Sequence, residues 1–389
     1  MAMSSEQPPR PGIPEIIRSE IVRLGRIPFH RFMELALYHP QFGYYSSDQV
    51  RLGKSGDFYT SAHTAPVFAR ILARHLEGSW HGCGEPSRFD LIELGPGDGL
   101  LASELLSWIG SRFPDFSSSL HYTGVEQSAS MRSRLSDVIQ PFGGRAKVVA
   151  DWEEAAENSP GGAASATFIL ANEFFDALPV DLLAWRSDGW MERCVCLANG
   201  QFAWCEEPVA SPELIEEAET RFAAGLSIAD REEGWVAEIR LGAREWMERI
   251  GKLLARGTQG GELLVVDYGY TVEEWQRGRF PQGSALAYRR HQVHDDLLVN
   301  PGDQDLTAHV NFSELIEAGR NAGLRVERFE SQAKFLMGLG ERDQFGDVFS
   351  DCNSEPERLR RAQQLKTLIL PQGMGEAFRV LEFAPAGIL

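Results

Sequence analysis

The sequence predicts an α/β protein with a Rossmann-like, mostly parallel sheet and helices on both faces, and three observations carry that expectation. Short apolar runs alternate with helical patterns from Phe89 onward. A glycine-rich bend, Gly95-Pro96-Gly97-Asp98-Gly99, separates the first run from the first helix. The carboxyl ends of successive runs meet polar or acidic residues such as Glu126, Asp151, Asn172 and Asp267. Strands that alternate with helices read as βαβ units, because parallel neighbours need a crossover between them.

Before the alternation begins, Ile16, Ile17, Ile21, Val22 and Leu24 recur at helical spacing, and a second helical pattern covers 29–38. The aromatic loop His39-Pro40-Gln41-Phe42-Gly43-Tyr44-Tyr45 follows, then Gly56-Asp57-Phe58-Tyr59-Thr60-Ser61 and a helical pattern through Leu76, a stretch suited to fold over a ligand. In the alternating region, strands are expected at 89–94, 122–126, 147–150, 168–171 and 262–266, with helices at 100–113 and 128–139. Residues 182–206 alternate apolar and polar side chains, with hairpin signals at Asp188-Gly189 and Asn199-Gly200, so an antiparallel β unit is inserted there. A helix at 240–255 leads back to the sheet, followed by a helix at 312–322, a strand at 324–330, a helical insertion at 355–370 and a strand at 378–383. The domain expectation is a disordered leader at 1–12, a helical lid region at 13–88, and a core at 89–389 with insertions at about 182–260 and 335–375.

Composition narrows the partners. With 56 acidic against 38 basic side chains, a net charge of −18 makes nucleic acid a disfavoured partner. Five cysteines, an odd and sparse set, point to a reducing compartment, and Cys194-x-Cys196 lacks the spacing of a zinc site. The first dozen residues lack the features of a secretory signal, and no apolar run approaches the roughly 18 residues that insert in a membrane. A cytoplasmic location follows for a bacterial protein, and a mitochondrial matrix location for a eukaryotic one; a homo-oligomer stays open.

The glycine bend lets the backbone turn sharply and approach a ligand without Cβ atoms in the way. Glu126, at the end of the next strand, is placed to accept hydrogen bonds from ribose hydroxyls. Two departures disfavour NAD or FAD: the third fingerprint glycine falls at Leu100, and Glu126 lies 29 residues beyond Gly97 where roughly 20 is usual. S-adenosylmethionine has no pyrophosphate to seat, and its ammonium suits an acid such as Glu93. Gly53-Lys54-Ser55 mimics the end of a phosphate-binding loop, but Asp48 stands where its first glycine belongs.

These residues, together with Gly56-Asp57-Phe58-Tyr59-Thr60-Ser61, Asn172-Glu173-Phe174-Phe175-Asp176-Ala177-Leu178-Pro179-Val180 and Asp267-Tyr268-Gly269, give a sequence that resembles the MidA family of methyltransferases. Weaker matches run from Pro301-Gly302 through Asp305-Leu306-Thr307 and at Met374-Gly375-Glu376. The resemblance covers nearly the whole chain after the leader. It implies a class I methyltransferase fold, S-adenosylmethionine as cofactor and, for the mitochondrial members, methylation of arginine in a subunit of respiratory complex I. Ser61-Ala62-His63 stands where the family has Ser-Pro-Glu, and that departure motivates a rival reading, a cofactor-binding assembly factor or chaperone with little or no catalysis; a methyltransferase acting on a small molecule or RNA is a further alternative.

On this reading Glu93, Gly95, Pro96, Gly97, Gly99, Glu126, Asp151, Trp152 and Asn172 hold the cofactor, with Asp57 and Ser61 lining the cleft from the N-terminal loop. If the acceptor is a guanidinium, carboxylates must grip its planar fork, and Glu173 with Asp176 occupy the expected place. Against this, Glu173 could cap a helix and Asp176 could be a solvated loop acid; Asp267 could be an ordinary strand-end acid and is left out of the catalytic set. No metal is required, and the scattered histidines show no ligand spacing; His291, His294 and His309 fall in a long segment suited to cover the site.

Overall fold

A computed structural model describes residues 12–46, 60–159, 161, 164–187, 189–257, 260–289 and 292–387. Its centre is a sheet built from β1 (Arg88–Leu94), β2 (Leu120–Val125), β3 (Ala146–Val149), β4 (Ser165–Asn172), β5 (Gly261–Tyr270), β6 (Leu324–Ser331) and β7 (Phe378–Pro385). The order across the sheet is β6-β7-β5-β4-β1-β2-β3, and the short strand Val310–Asn311 pairs with the end of β5. Strands β1 to β5 run parallel, while β7 is antiparallel to both β5 and β6. Strand order reverses between β4 and β2 around β1, and such a switch point opens a crevice at the carboxyl ends of the strands. This is the Rossmann-like sheet expected from the sequence.

The central strands β4 and β5 read as near-continuous apolar runs because both faces are covered. On β5, Leu264 and Val266 pack into one core and Leu263 and Val265 into another. The first core takes in α3 (Thr60–Gly82) and α4 (Leu100–Arg112) through Leu72, Leu76, Leu105 and Ile109. Opposite it, α7 (Leu241–Leu254) and α8 (Phe312–Asn321) contribute Met247, Ile250, Leu315 and Ala318. Between α4 and α7 in the chain, α5 (Ala129–Ile139) starts on the Ser128 side chain, which accepts from the Met131 amide, and α6 (Trp152–Asn158) starts on Asp151, which accepts from the Glu154 amide. α9 (Glu355–Ile369) is tied to α3 by Leu365 and Leu368 in the first core; on the same flank Asp351, just before α9, receives a bidentate grip from Arg70 at 2.6 and 2.7 Å.

The inserted β unit is present as strands Asp181–Arg186, Gly189–Ala198 and Gln201–Pro208, joined at the two predicted hairpins. Two further strands complete its sheet: Val236–Ile239 on one edge, and the two-residue Ile27–Pro28, which pairs with Val195 and Cys194. The N-terminal α1 (Ile13–Leu24) and α2 (Phe29–Tyr38) therefore dock on this insertion. On α1 the buried stripe is Ile13, Ile17 and Ile21, each side chain worth about 2 kcal/mol of burial, whereas Val22 and Leu24 are exposed, so only part of the expected apolar pattern packs. Sequence reading also missed the small sheet of Leu286–Arg289, Gln292–His294 and Asp305–Thr307, whose strands are too short to show periodicity.

Candidate functional site

β1 delivers its chain to the crevice at Leu94, and the next residues bend through left-handed conformations at Gly95 (φ 63°), Gly97 (φ 57°) and Gly99 (φ 81°). A Cβ on Gly95 would stand 3.1 Å from the Phe174 ring, and one on Gly99 would stand 2.5 Å from Leu135. Glycine is therefore needed both for the turn and for the room. Glu126, just past β2, reaches back into this bend: its Oε2 accepts the Gly97 amide at 3.2 Å and its Oε1 the Ser128 amide at 2.7 Å. Burial raises its pKa, and the two amides offset part of that rise.

Beneath the bend, Glu93 is buried and accepts the Tyr122 hydroxyl at 2.7 Å. Burial pushes its carboxyl up to about 7, with the tyrosine bond pulling the other way. Glu93, Gly95, Pro96, Gly97, Glu126, Asp151, Trp152, Asn172, Glu173 and Asp176 all line one cleft of about 920 Å³. Gly99 shapes the bend from behind, at the start of α4. Asp57 lies outside the described residues, as does the Ala62-His63 side-chain pair, and of Ser61 only its place in the first turn of α3 is described.

Asp151 is exposed and caps α6, while Trp152 is buried edge-on against Trp246, their rings 5.7 Å apart. Asn172 ends β4, and Glu173 then takes a left-handed conformation (φ 49°) with its amide donating to the Val266 carbonyl at 2.9 Å. Such a backbone is strained for a residue with a Cβ and turns the chain into the cleft. The capping role considered for Glu173 is not seen, since no helix follows it. Nor is Asp176 a solvated loop acid: it is 3% exposed, its Oδ2 accepts the Tyr268 hydroxyl, and its Oδ1 is buried without a partner. Burial raises its pKa, and the Tyr268 bond opposes the rise.

Asp267 corrects a second expectation. Far from being a strand-end acid, it lies inside β5 and is fully buried. Its Oδ2 accepts the amides of Phe175 and Asp176 at 3.1 and 3.2 Å, and its Oδ1 that of Tyr268 at 2.9 Å. It holds the turn that presents Glu173 and Asp176. Burial, then the charge of Asp176, pushes the Asp267 carboxyl well up.

Other lining groups escaped sequence reading. Tyr38 donates to the Ala177 carbonyl at 2.8 Å and Tyr45 to Asp305 Oδ1 at 2.9 Å, while buried Arg240, outside the lining, donates to the carbonyls of Leu178 and Ala308 at 3.2 and 2.9 Å. Of the histidines singled out, His294 is exposed, His291 lies outside the described residues, and His309 is wedged between Tyr268 and Phe280, where burial lowers its pKa to about 4. At the other end of the strands His75, Glu262 and Glu382 bring ligand-type atoms within 4.8 Å of one another, a cluster whose sequence separations hid it.

A glycine bend crowded at Gly95 and Gly99, a buried acid beneath it and a second acid pinned across it thus meet at the carboxyl end of the sheet. Residues 71–330 match the family model described as "Putative S-adenosyl-L-methionine-dependent methyltransferase". The chain belongs to this methyltransferase family. Its members of known structure include a COG1565 superfamily protein from Burkholderia thailandensis bound to S-adenosyl-homocysteine, 30% identical, with a TM-score of 0.81 over 98% of this chain and 97% of that one. Two curated relatives carry the name protein arginine methyltransferase NDUFAF7, mitochondrial. The Homo sapiens protein is 28% identical over 94% of this chain and 82% of its own, and the Drosophila melanogaster homolog is 29% identical over 96% and 84%. As a family member the chain is an S-adenosylmethionine-dependent methyltransferase of class I fold, as the sequence led one to expect. No helix among the described residues is long and apolar enough to cross a membrane.

Proposed function

We propose that this methyltransferase modifies the guanidinium of an arginine in another protein, and that Glu173 and Asp176 orient the acceptor. The observation that carries the reading is Asp176, a buried acid in the wall of the cleft with one oxygen held by Tyr268 and the other left without a donor. A guanidinium supplies such donors in a planar fork. The names of the mitochondrial relatives support the same acceptor.

In this reading Gly95, Pro96 and Gly97 receive the cofactor backbone-first, Glu126 faces its ribose, Glu93 its ammonium, and Asp151, Trp152 and Asn172 its base; Asp57 and Ser61 complete the set. S-adenosylmethionine supplies an electrophilic methyl group on a sulfonium. The protein's part is alignment, exclusion of water and removal of one proton. A guanidinium with a pKa above 12 must lose that proton as its nitrogen gains the methyl, so the charge on the arginine is unchanged at the end. Asp176 Oδ1 is the proposed proton acceptor, and its raised pKa makes it a stronger base than an ordinary aspartate. Glu173 holds the other edge of the fork.

The partner is then a protein, and the family resemblance makes a respiratory complex I subunit the first to test, in the cytoplasm of a bacterium or the mitochondrial matrix of a eukaryote. Incubation with tritiated methyl donor and extract of a deletion strain should label one protein band, recovered as methylarginine after hydrolysis. Label confined to RNA or small molecules would overturn the reading.

A further inference from the structure

We propose that Asp305, together with Tyr38 and Tyr45, completes a subsite opposite Asp176 that admits a cationic acceptor side chain and favours guanidinium over ammonium. The inference rests on the reading of an arginine acceptor above and gives Asp305, Tyr38 and Tyr45 roles that neither motif nor relative assigns. Asp305 opens the strand Asp305–Thr307, is 1% exposed and lines the cleft. Its Oδ1 accepts the Tyr45 hydroxyl at 2.9 Å. The Tyr45 ring lies 5.5 Å from that of Tyr38, whose hydroxyl donates to the Ala177 carbonyl at 2.8 Å. On the other side, the Ala308 amide donates to the Asp176 carbonyl at 3.1 Å. The Asp305 carboxylate is thus joined through Tyr45 and Tyr38 to the backbone beside Asp176, and the strand that carries Asp305 is joined to the Asp176 backbone by the Ala308 amide.

The electrostatics agree with this geometry. After burial itself, the charges of Asp305 and Asp176 are the largest influences raising the Tyr38 pKa, and both acids also raise Tyr45 and Tyr288. Around the cleft stand nine carboxylates, Asp176 and Asp305 among them, against two arginines. Both arginines have partners within the lining: Arg132 donates to the Glu126 and Gln127 carbonyls, and Arg249 faces Glu153 at 3.9 Å. A cleft of this kind repels anionic acceptors and draws cations.

A buried carboxylate is costly until a cation meets it, so the unbonded Asp176 Oδ1 points to a ligand of that charge. Guanidinium fits better than ammonium for two reasons. Its donors leave along fixed in-plane directions and can reach two carboxylates at once, and its faces stack on aromatic rings such as Tyr38 and Tyr45. Both tyrosine hydroxyls already donate elsewhere, which leaves their oxygens to accept.

A ligand-observed NMR titration of the full chain with S-adenosyl-homocysteine present tests this, using N-acetyl-arginine methylamide and its citrulline and lysine counterparts as probes. The arginine probe should bind at least tenfold more tightly than the neutral citrulline probe. Asp305→Asn should weaken it at least tenfold without changing the Kd for S-adenosyl-homocysteine, and Tyr45→Phe should weaken it several-fold. Should Asp305→Asn fail to bind S-adenosyl-homocysteine, Tyr45→Phe carries the comparison. Equal binding of the arginine probe by wild type and the variants overturns the subsite and leaves the arginine reading standing. A lysine probe that binds where arginine does not overturns both the preference for guanidinium and the arginine acceptor. No binding of either cationic probe overturns the subsite.

Discussion

Glu126 and Asp176 are both acids drawn into the same cleft, and their partners divide their work. Both oxygens of Glu126 already accept backbone amides, so it fixes the shape of the glycine bend and keeps a second lone pair on each oxygen. Asp176 keeps Oδ1 unbonded. Glu126→Gln should therefore raise the Kd for S-adenosylmethionine about tenfold in calorimetry, a loss of roughly 1.4 kcal/mol. Asp176→Asn should leave that Kd alone and lower kcat by about 10² to 10³, the usual worth of a positioned base. Asp176 works as a base only when ionised, and burial raises its pKa, so kcat should fall on the acid side at a higher pH than an ordinary aspartate would give. A kcat that stays flat down to about pH 4, the usual aspartate range, would strike Asp176 from this role.

At the scale of elements, the cradle depends on how β1, α4 and α5 meet. Gly99 sits at φ 81° with Leu135 of α5 only 2.5 Å from where a Cβ would be, so Gly99→Ala combines a left-handed penalty with overpacking. It should cost about 2 to 4 kcal/mol in urea unfolding, and a cost under about 0.5 kcal/mol would mean that the bend relaxes freely. On the far side, Asn311 caps α8 by accepting the Ser313 and Glu314 amides, and Asn311→Ala should cost about 1 kcal/mol. What was legible in the sequence follows the same division. The bend, Glu126 and the 172–179 turn could be read because each is a local consequence of a strand reaching its carboxyl end. Tyr45 and Asp305 could not, since they meet across 260 residues of chain. Asp267 misled because an apolar run ends at Val266, although β5 continues to Tyr270 and buries the acid for amides 91 and 92 residues away. The apolar Val22 and Leu24 misled in the opposite sense, since helical spacing does not say which face meets the insertion sheet.

For the whole molecule, buried acids away from the chemistry make stability depend on pH in a direction that can be worked out. Glu314 is 2% exposed at the start of α8, its Oε1 has no partner, and burial raises its carboxyl to about 7, with the charges of Arg240, Arg221 and Arg244 opposing. Between about pH 4.5 and 7 the unfolded chain has released this proton while the folded chain still holds it. Stability then falls as pH rises through that window, by at most about 3 kcal/mol for this one group. His309 acts in reverse: with its folded value near 4, the unfolded chain binds its proton first, and stability falls as pH drops from about 6.5 to 4. The two slopes partly cancel, so the bare stability curve of the protein is a poor witness. The difference between wild type and Glu314→Gln isolates the acid. That variant should gain on wild type as pH rises from 5 to 8, by about 1 to 3 kcal/mol in urea unfolding, because the amide has no proton to lose. If the difference between the two proteins is the same at both ends of that range, Glu314 is not held protonated by its burial, and the charge of Arg240 reaches it more strongly than the depth of its site suggests.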